Sequence, residues 1–297
     1  MTTGTPVPPA PPVTRRSAKA RQRRRLLRRF LHRPLALAGL ITLSLIAMLA
    51  LFAGVLTGDP GANDFGAILS PPSAAHPFGT DDLGRDVLAR VAFGARVSME
   101  AGVLAAALAL AIGVPLGLVA GYYRGWADLV ISRVTDLMLA FPFLILAVGL
   151  AAILGPSLRN VVIALGITRV PGFIRVTRGE VLGLREQDYV AGAIADGASD
   201  ARILRRYILP NCLSPLIVQA TVTIPEAIIG EAILSFLGLG VQPPTPSWGT
   251  MLSAAQGFLT QAPYLALFPG LAIVLATLSF NLLGDGLRDV LDPKSVR

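Results

Sequence analysis

The chain has 297 residues, of which 53% are hydrophobic and 15% are charged, and its mean hydropathy is +0.64. Soluble domains carry about 25% charged residues, so this composition excludes an ordinary soluble domain and indicates a membrane protein. The formal net charge is +8, and a single cysteine, Cys212, excludes an intrachain disulfide.

The first 33 residues are predicted to form a disordered, basic tail, because their proline-rich opening has little apolar surface to bury. A basic run, Arg21–Arg29, comes shortly before the apolar stretch Leu35–Leu56. Such a run is compatible with a nucleic-acid patch, but before a long apolar segment it is more typical of a topology determinant that binds anionic lipid. We therefore expect membrane lipid as a partner, and no nucleic acid. The apolar stretch is longer than the about 7–15 residues of a signal peptide, which favours an uncleaved first span.

Six segments are predicted to cross the membrane. Four carry no charge and are long enough for a hydrocarbon core of about 30 Å, whereas the fourth and fifth in the chain are weaker because they contain charged residues. Other backbone structure facing lipid would leave polar groups unpaired, so the predicted fold class is an all-α integral membrane protein with six transmembrane helices. In chain order the segments are Leu35–Leu56, Ala101–Tyr122, Leu137–Leu158, Asn160–Ile174, Leu213–Ile233 and Tyr264–Gly284.

Proline and small residues inside these segments have two interpretations. Prolines expose backbone carbonyls and allow bends, which makes Pro115, Pro142 and Pro225 candidate hinges. Glycines at four-residue spacing allow two helices to approach closely. We interpret Gly113, Gly117 and Gly121 as such packing contacts.

The basic residues predict a cytoplasmic N-terminus. With six spans, 22 of the 26 lysines and arginines fall on one side of the membrane, in the tail, residues 121–136, residues 169–211 and the C-terminus. This asymmetry follows the positive-inside rule. The other side holds only Arg85, Arg90, Arg96 and Arg159.

The loop between the first two spans contains His76–Asp86. Asp81, Asp82 and Asp86 suggest a calcium loop at first sight, but the ligand spacing of an EF-hand and its closing glutamate are absent. We favour a structural interpretation, in which a short interfacial helix, Asp81–Phe93, leads into the second span with acidic residues in its first turn.

Residues 188–211 are polar and are predicted to form two short helices outside the bilayer. Gly197 can adopt the positive φ that a tight helix break needs, Ser199 is a good N-cap for a helix over Ala201–Tyr207, and Pro210 is expected to end that helix. Small residues on the first helix and Arg202, Arg205 and Arg206 on the second create a small face and a basic face. Such a hairpin is suited to the groove of a partner protein.

This segment resembles the cytoplasmic EAA loop of ATP-binding-cassette (ABC) importer permeases. Ala193, Gly197, Leu209 and Pro210 stand at the positions of that motif. The chain departs from the motif where Ala191, Gly192 and Tyr207 replace its glutamate, first alanine and isoleucine.

The flanking sequence resembles the dipeptide, oligopeptide and nickel branch of the same binding-protein-dependent family, over roughly residues 26–293. The segments that carry this resemblance are Arg29–Pro34, His76–Asp86, Leu234–Gly240, Pro243–Pro244 and Ser247–Gly249.

The resemblance implies a type I ABC importer permease fold in the bacterial cytoplasmic membrane. It also implies a heterodimer with a sister permease, two cytoplasmic ATPase subunits that hold ATP and Mg²⁺, and an extracytoplasmic substrate-binding protein. Small peptides are the expected substrate, with nickel, glutathione or another small solute as alternatives. The residues implied in coupling to the ATPase are Ala191, Gly192, Ala193, Gly197, Ser199, Arg202, Arg205, Arg206, Leu209 and Pro210.

The predicted organisation has five parts. They are a basic cytoplasmic tail (1–33), a first transmembrane helix (34–57), an extracytoplasmic loop with an interfacial helix (58–100), a five-helix core with a cytoplasmic coupling loop at 177–211 (101–284), and a cytoplasmic C-terminal tail (285–297).

The residues themselves argue against an enzyme. The only lysines, Lys19 and Lys294, do not follow the glycines of a phosphate-binding loop, so ATP hydrolysis must come from another subunit. His32 and His76 are the only histidines, and neither stands in a catalytic or Cys/His metal-binding pattern. We expect no bound cofactor or metal and no catalytic residue on this chain.

Two carboxylates, Glu226 and Glu231, are expected at membrane depth on different faces of one helix, because five residues correspond to about 140° of helical turn. Intramembrane carboxylates often contact substrate or form a gate. The structural alternative is a hydrogen bond to the sister permease or an interface position near the headgroups. A stand-alone secondary transporter or a membrane scaffold remains a further alternative for the whole chain, although no internal repeat favours the former.

Overall fold

The computed structural model describes residues 30–291, so the prediction for the N-terminal tail lies largely outside the described residues. Regular structure in this range is helical, apart from one isolated bridge between Thr80 and Asp86. The helices are α1 (Pro34–Leu56), α2 (Val87–Tyr123), α3 (Gly125–Ala140), α4 (Phe143–Leu154), α5 (Leu158–Arg185), α6 (Asp188–Ala195), α7 (Asp200–Ile203), α8 (Leu209–Phe236), α9 (Trp248–Ala255) and α10 (Tyr264–Leu291). The all-α prediction is confirmed.

Five helical units in the described range are long and apolar enough to cross a membrane: α1, α2, α5, α10 and a continuous unit, Asp200–Phe236, that contains α7 and α8. The predicted third span differs, because it is divided between α3 and α4, which meet at a bend of 93°. Pro142 lacks an amide hydrogen and forces the preceding residue out of the helical region, and Phe141 is accordingly extended (φ −88°, ψ 135°). Helix α3 also occupies residues 125–136, which lie between the predicted second and third spans.

The helices extend beyond the apolar windows that predicted them. Helix α5 continues from Ile174 to Arg185, and α10 continues to Leu291, so residues 285–291 of the predicted C-terminal tail are helical. Polar residues in these extensions have partners on neighbouring elements. For example, Arg33 forms an ion pair with Asp289 at 3.2 Å.

Contacts between the helices establish their relative directions. Ser98 and Gly102 of α2 meet Glu231 and Ile228 of α8, respectively, so these two helices are antiparallel. Gly39 of α1 lies against α10, also in an antiparallel arrangement, since Ala36 approaches Gly286 further along α10. Ala50 and Gly54 of α1 meet Arg96 and Phe93 of α2, which makes these two helices antiparallel as well. With α5 parallel to α2, α1 and α8 run in one direction and α2, α5 and α10 run in the other, as an alternating multi-pass chain requires.

Glycines allow α2 and α5 to pack closely as parallel neighbours. A Cβ atom at Gly117 would lie 2.5 Å from Thr177 Cβ, and one at Gly113 would lie 2.6 Å from Phe173 Cβ. The prediction that this glycine series forms packing contacts is confirmed.

We expect Gly117→Val to destabilise the α2–α5 pair, because the valine side chain has no space and overpacking costs about 1–3 kcal/mol or more. Gly179→Val is the matched control, since nothing lies within 4 Å of a Cβ at Gly179. Fluorescence-detected size-exclusion chromatography after a heat challenge should show a lower midpoint for Gly117→Val only. Equal midpoints for the two variants would contradict the packing role.

The loop before α2 differs from its prediction. The helix begins at Val87 rather than Asp81, and Asp86 is its N-cap, accepting a hydrogen bond from Ala89 N at 2.9 Å. Asp81 instead accepts hydrogen bonds from the backbone amides of Leu83 and Arg85 at 3.0 and 2.9 Å. These local bonds compete with helix formation, and an aspartate directly before an apolar run was the signal for the true start.

Aromatic side chains attach this loop to α10. Tyr264 Oη lies 3.0 Å from the Ser70 carbonyl oxygen and 3.1 Å from that of Thr80. The Phe78 ring stacks on that of Phe268 with 3.9 Å between centroids. The loop is therefore a packed part of the fold.

Candidate functional site

The Gly197 segment, residues 188–211, forms a helix break with a Schellman geometry. Gly197 has φ +74°, and its amide donates to Ile194 O at 3.0 Å, while the amide of Ala198 donates to Ala193 O at 3.0 Å. These two bonds satisfy carbonyls at the end of α6 and require a left-handed residue at the break. The predicted glycine-dependent break is present.

The second half of the segment differs from its prediction. Ser199 occupies the N-cap position, but its side chain makes no capping hydrogen bond. Pro210 does not end the helix, because α7 continues through a π-helical turn, Leu204–Ile208, into α8. The proline is at the first turn of α8, where the missing amide hydrogen is tolerated, and the wider turn before it provides room for the ring.

One side of the Gly197 segment is anchored. Val190, Ile203 and Ile208 are buried in an apolar cluster that also contains Val181 of α5. The Tyr122 hydroxyl, at the end of α2, donates to Asp200 Oδ1 at 2.9 Å. The segment is thus attached to the ends of two long helices.

The other side is open. A Cβ at Gly192 or Gly197 would have nothing within 4 Å, and Tyr189 and Ile194 are 43% and 51% exposed. Partial burial raises the pKa of Tyr189. The exposed residues that we group as this open face include Tyr189, Ala191, Gly192, Ile194, Gly197, Ser199, Arg202, Arg205, Arg206 and Pro210, and the acidic residues Asp188 and Asp196 are exposed beside them.

Two residues of the predicted coupling set lie elsewhere. Ala193 is 6% exposed and is turned into the fold, and Leu209 is half-buried against the apolar cluster. Ala193 contributes its carbonyl to the helix break. Of the small residues on the first helix, Ala191, Gly192 and Ala195 are exposed.

Basic residues that served only as topology determinants in the sequence have specific partners. Arg178 of α5 binds Asp128 of α3 through two hydrogen bonds, 2.5 Å from Nε to Oδ1 and 2.8 Å from Nη2 to Oδ2. Arg124 forms an ion pair with Glu186 at 2.7 Å, and Arg185 donates to the Tyr122 carbonyl at 2.6 Å. These contacts, which were not predicted from the sequence, connect the end of α5 that precedes the Gly197 segment to the end of α2 and to α3.

An ion pair lies within the spans. Arg169 Nη1 of α5 is 2.8 Å from Glu226 Oε2 of α8, and its guanidinium carbon is 4.0 Å from the centroid of the Phe143 ring. The Arg169 Nε is buried and makes no hydrogen bond with any described residue. Both charged residues were recognised in the sequence as weakening their spans, but their pairing was not predicted.

Glu231 is in a different environment, as its position on another face of α8 predicts. It has no exposed surface, and it accepts hydrogen bonds from Ser98 Oγ of α2 at 2.8 Å and Ser235 Oγ at 2.7 Å. One alternative for this carboxylate was an interhelical hydrogen bond to a sister permease, and the structure shows an interhelical hydrogen bond within this chain instead. Of these two carboxylates, Glu226 is partly exposed and Glu231 is fully buried.

Two family models match the sequence. One describes the inner membrane component of binding-protein-dependent transport systems and matches residues 113–297. The other describes the N-terminal transmembrane domain of oligopeptide transport permease C and matches residues 21–72.

Relatives match nearly the whole chain. The dipeptide transport system permease protein DppC of Alkalihalophilus pseudofirmus is 46% identical over 98% of this chain and 96% of its own length. The glutathione transport system permease protein GsiD of Pectobacterium atrosepticum is 46% identical over 95% of each chain.

A solved structure supports the fold. The MetNI methionine ABC transporter, in an inward-facing conformation, matches with a TM-score of 0.57 at 18% identity, over 68% of this chain and 96% of the matched chain. The predicted type I importer permease fold is therefore confirmed. The chain belongs to the family of inner membrane components of binding-protein-dependent transport systems, and it is a non-catalytic, multi-pass permease subunit of an ABC importer.

Proposed function

We propose that this permease imports small peptides as one half of a heterodimer with a sister permease. Two ATPase subunits that bind ATP and Mg²⁺ and an extracytoplasmic binding protein complete the assembly. The relatives named for dipeptide and glutathione transport support this substrate class, because both of those solutes are short peptides. Nickel or another small solute is the alternative.

The main structural support for this proposal is the open face of the Gly197 segment. It combines a glycine break, two sites with no neighbour within 4 Å, and three exposed arginines, a surface that suits the groove of a partner. We propose that this face docks on an ATPase subunit in the cytoplasm, an orientation that the positive-inside asymmetry favours.

The same segment is the start of a long mechanical element. From Asp200 to Phe236 the chain is one 37-residue helical unit, which spans about 55 Å at 1.5 Å per residue. A displacement of the docked segment is therefore carried along this unit to the depth of Glu226. We propose that ATP binding draws the two docking segments together and opens the path outward, and that hydrolysis reverses the motion.

Stepwise reconstitution tests the proposed assembly. This chain alone in proteoliposomes should neither hydrolyse ATP nor accumulate a labelled dipeptide. Uptake should require the sister permease, both ATPases, the binding protein and ATP together, and omission of any one should reduce it to background. Uptake by this chain alone, driven by a proton or sodium gradient, would overturn the proposal in favour of a secondary transporter. ATP-dependent uptake of nickel without uptake of peptide would overturn the substrate only.

A further inference from the structure

The Arg169–Glu226 pair lies near the middle of its two helices. Arg169 is eleven residues from the start of α5, and Glu226 is ten residues from the end of α8. At 1.5 Å per residue both lie roughly 15 Å from the same end of the helix bundle, which is about half of a 30 Å hydrocarbon core.

The two charges differ in accessibility. The Arg169 side chain is 16% exposed, whereas the Glu226 side chain is 45% exposed. Val222 and Ile229, one turn away on either side, are 43% and 42% exposed, so the carboxylate lies on an open strip of α8. A charged carboxylate that faces lipid at this depth is unfavourable. The Glu226 carboxylate is therefore better suited to a water-filled path than to lipid.

The chemistry of the pair defines a ligand. The more exposed member of the pair is the Glu226 carboxylate. Its charge is balanced by the less exposed guanidinium of Arg169, which lies over the Phe143 ring. A carboxylate offers about four lone-pair sites, of which Arg169 uses a part, so it can accept further hydrogen bonds from a cation. A divalent metal ion is a poor match, since it would bring two positive charges beside Arg169 to a single carboxylate. An ammonium group brings one charge and three donors.

We infer that Glu226, positioned by Arg169, binds the free α-ammonium group of the peptide as it passes through the membrane. This inference rests on the proposed function and adds a binding residue, a positioning residue and a chemical requirement for the substrate.

The test uses the complete detergent-solubilised assembly of both permeases and both ATPases, without the binding protein, so that recognition by that protein does not contribute. Labelled dialanine is bound to the complex and displaced with unlabelled dialanine or N-acetyl-dialanine. In the wild type, we expect N-acetyl-dialanine to compete at least about tenfold more weakly, because a hydrogen bond to a charged group contributes about 1.5–3 kcal/mol. Glu226→Gln retains an oxygen acceptor for Arg169, and it should weaken dialanine binding by a similar factor and remove the discrimination.

Asp136→Asn is the matched control. It breaks another ion pair between an acid and an arginine of α5, Asp136–Arg175 at 2.9 Å, in which both partners are more than half exposed, and it should leave binding and discrimination at wild-type values. If Glu226→Gln elutes as an aggregate, Glu226→Asp provides the second measurement, and it should retain the preference for the free amino group.

Three results would overturn the inference: no dialanine binding by a wild-type assembly that is active in uptake, equal competition by the acetylated peptide, or full discrimination by Glu226→Gln. In each case ATP-dependent uptake of dialanine with the binding protein present would leave the proposed function intact. Absence of that uptake would count against the proposed function itself.

Discussion

Gly197→Val should abolish ATP-driven uptake while leaving the permease inserted in the membrane. Gly197 has φ +74°, a region that costs a residue with a Cβ about 1–2 kcal/mol and is least accessible to β-branched side chains. The Schellman bonds of Ile194 and Ala193 depend on that conformation. Valine would therefore move the open face of the segment relative to the helices that carry it. We expect uptake below one-tenth of the wild-type rate, on the order of a tenfold loss or more for a misplaced contact.

A matched substitution separates conformation from size. Asparagine tolerates the left-handed region far better than valine, and nothing lies within 4 Å of a Cβ at this position. Gly197→Asn should retain most of the uptake, and both variants should co-purify with the sister permease in wild-type yield. Wild-type uptake by Gly197→Val would show that the break has no role in coupling, whereas equal loss in both variants would assign the effect to steric contact with the partner.

Arg169→Met should reduce the amount of folded protein more severely than most single substitutions in the spans. The substitution leaves the Glu226 carboxylate at membrane depth without the partner that lies at 2.8 Å. Removing one member of a buried ion pair costs about 3–5 kcal/mol, which is an upper bound here because the Glu226 side chain is 45% exposed. The lower midpoint should be visible by size-exclusion chromatography after graded heating of the detergent-solubilised protein.

The double variant Arg169→Met/Glu226→Met is the control for this prediction, because it removes both charges of the pair. Replacement of both members of a buried pair by apolar residues of similar volume is often neutral, so the double variant should recover most of the lost midpoint. The double variant should still fail to bind dialanine, because it lacks the Glu226 carboxylate even though its stability is restored. A double variant as unstable as Arg169→Met would show that the arginine acts through its packing on Phe143 and not through its charge balance with Glu226.

Much of the fold was predictable from the sequence. A segment that crosses a membrane must be long and apolar, and it must pair its backbone N–H and C=O groups internally, which leaves few alternatives to a helix. Charge-free windows predicted α1, α2 and α10, and the glycine series predicted the close contact between α2 and α5. Gly197 was identifiable as a helix break because few residues other than glycine adopt its conformation readily. In each case the information is local, carried by one residue type or by one continuous stretch.

Helix ends and breaks were predicted less well, because they depend on competing local bonds and on packing. Pro142 bends its span by 93°, yet Pro115, Pro215 and Pro225 lie within continuous helices. Pro210 is likewise accommodated, after a π-helical turn. A proline specifies a missing hydrogen bond, and neighbouring elements decide whether the chain bends there.

The sequence by itself determined the apolar character and approximate position of the five unbroken membrane segments, the small and basic character of the Gly197 segment and the absence of a nucleotide-binding lysine. Only the tertiary structure decided which charges meet. Arg169 and Glu226 are separated by 57 positions, and Ser98 and Glu231 by 133. The two carboxylates of α8 are five residues apart, yet one is buried among serines of its own chain and the other is open and paired with an arginine. Their difference arises from which helix packs against each face of α8, which no local pattern in the sequence specifies.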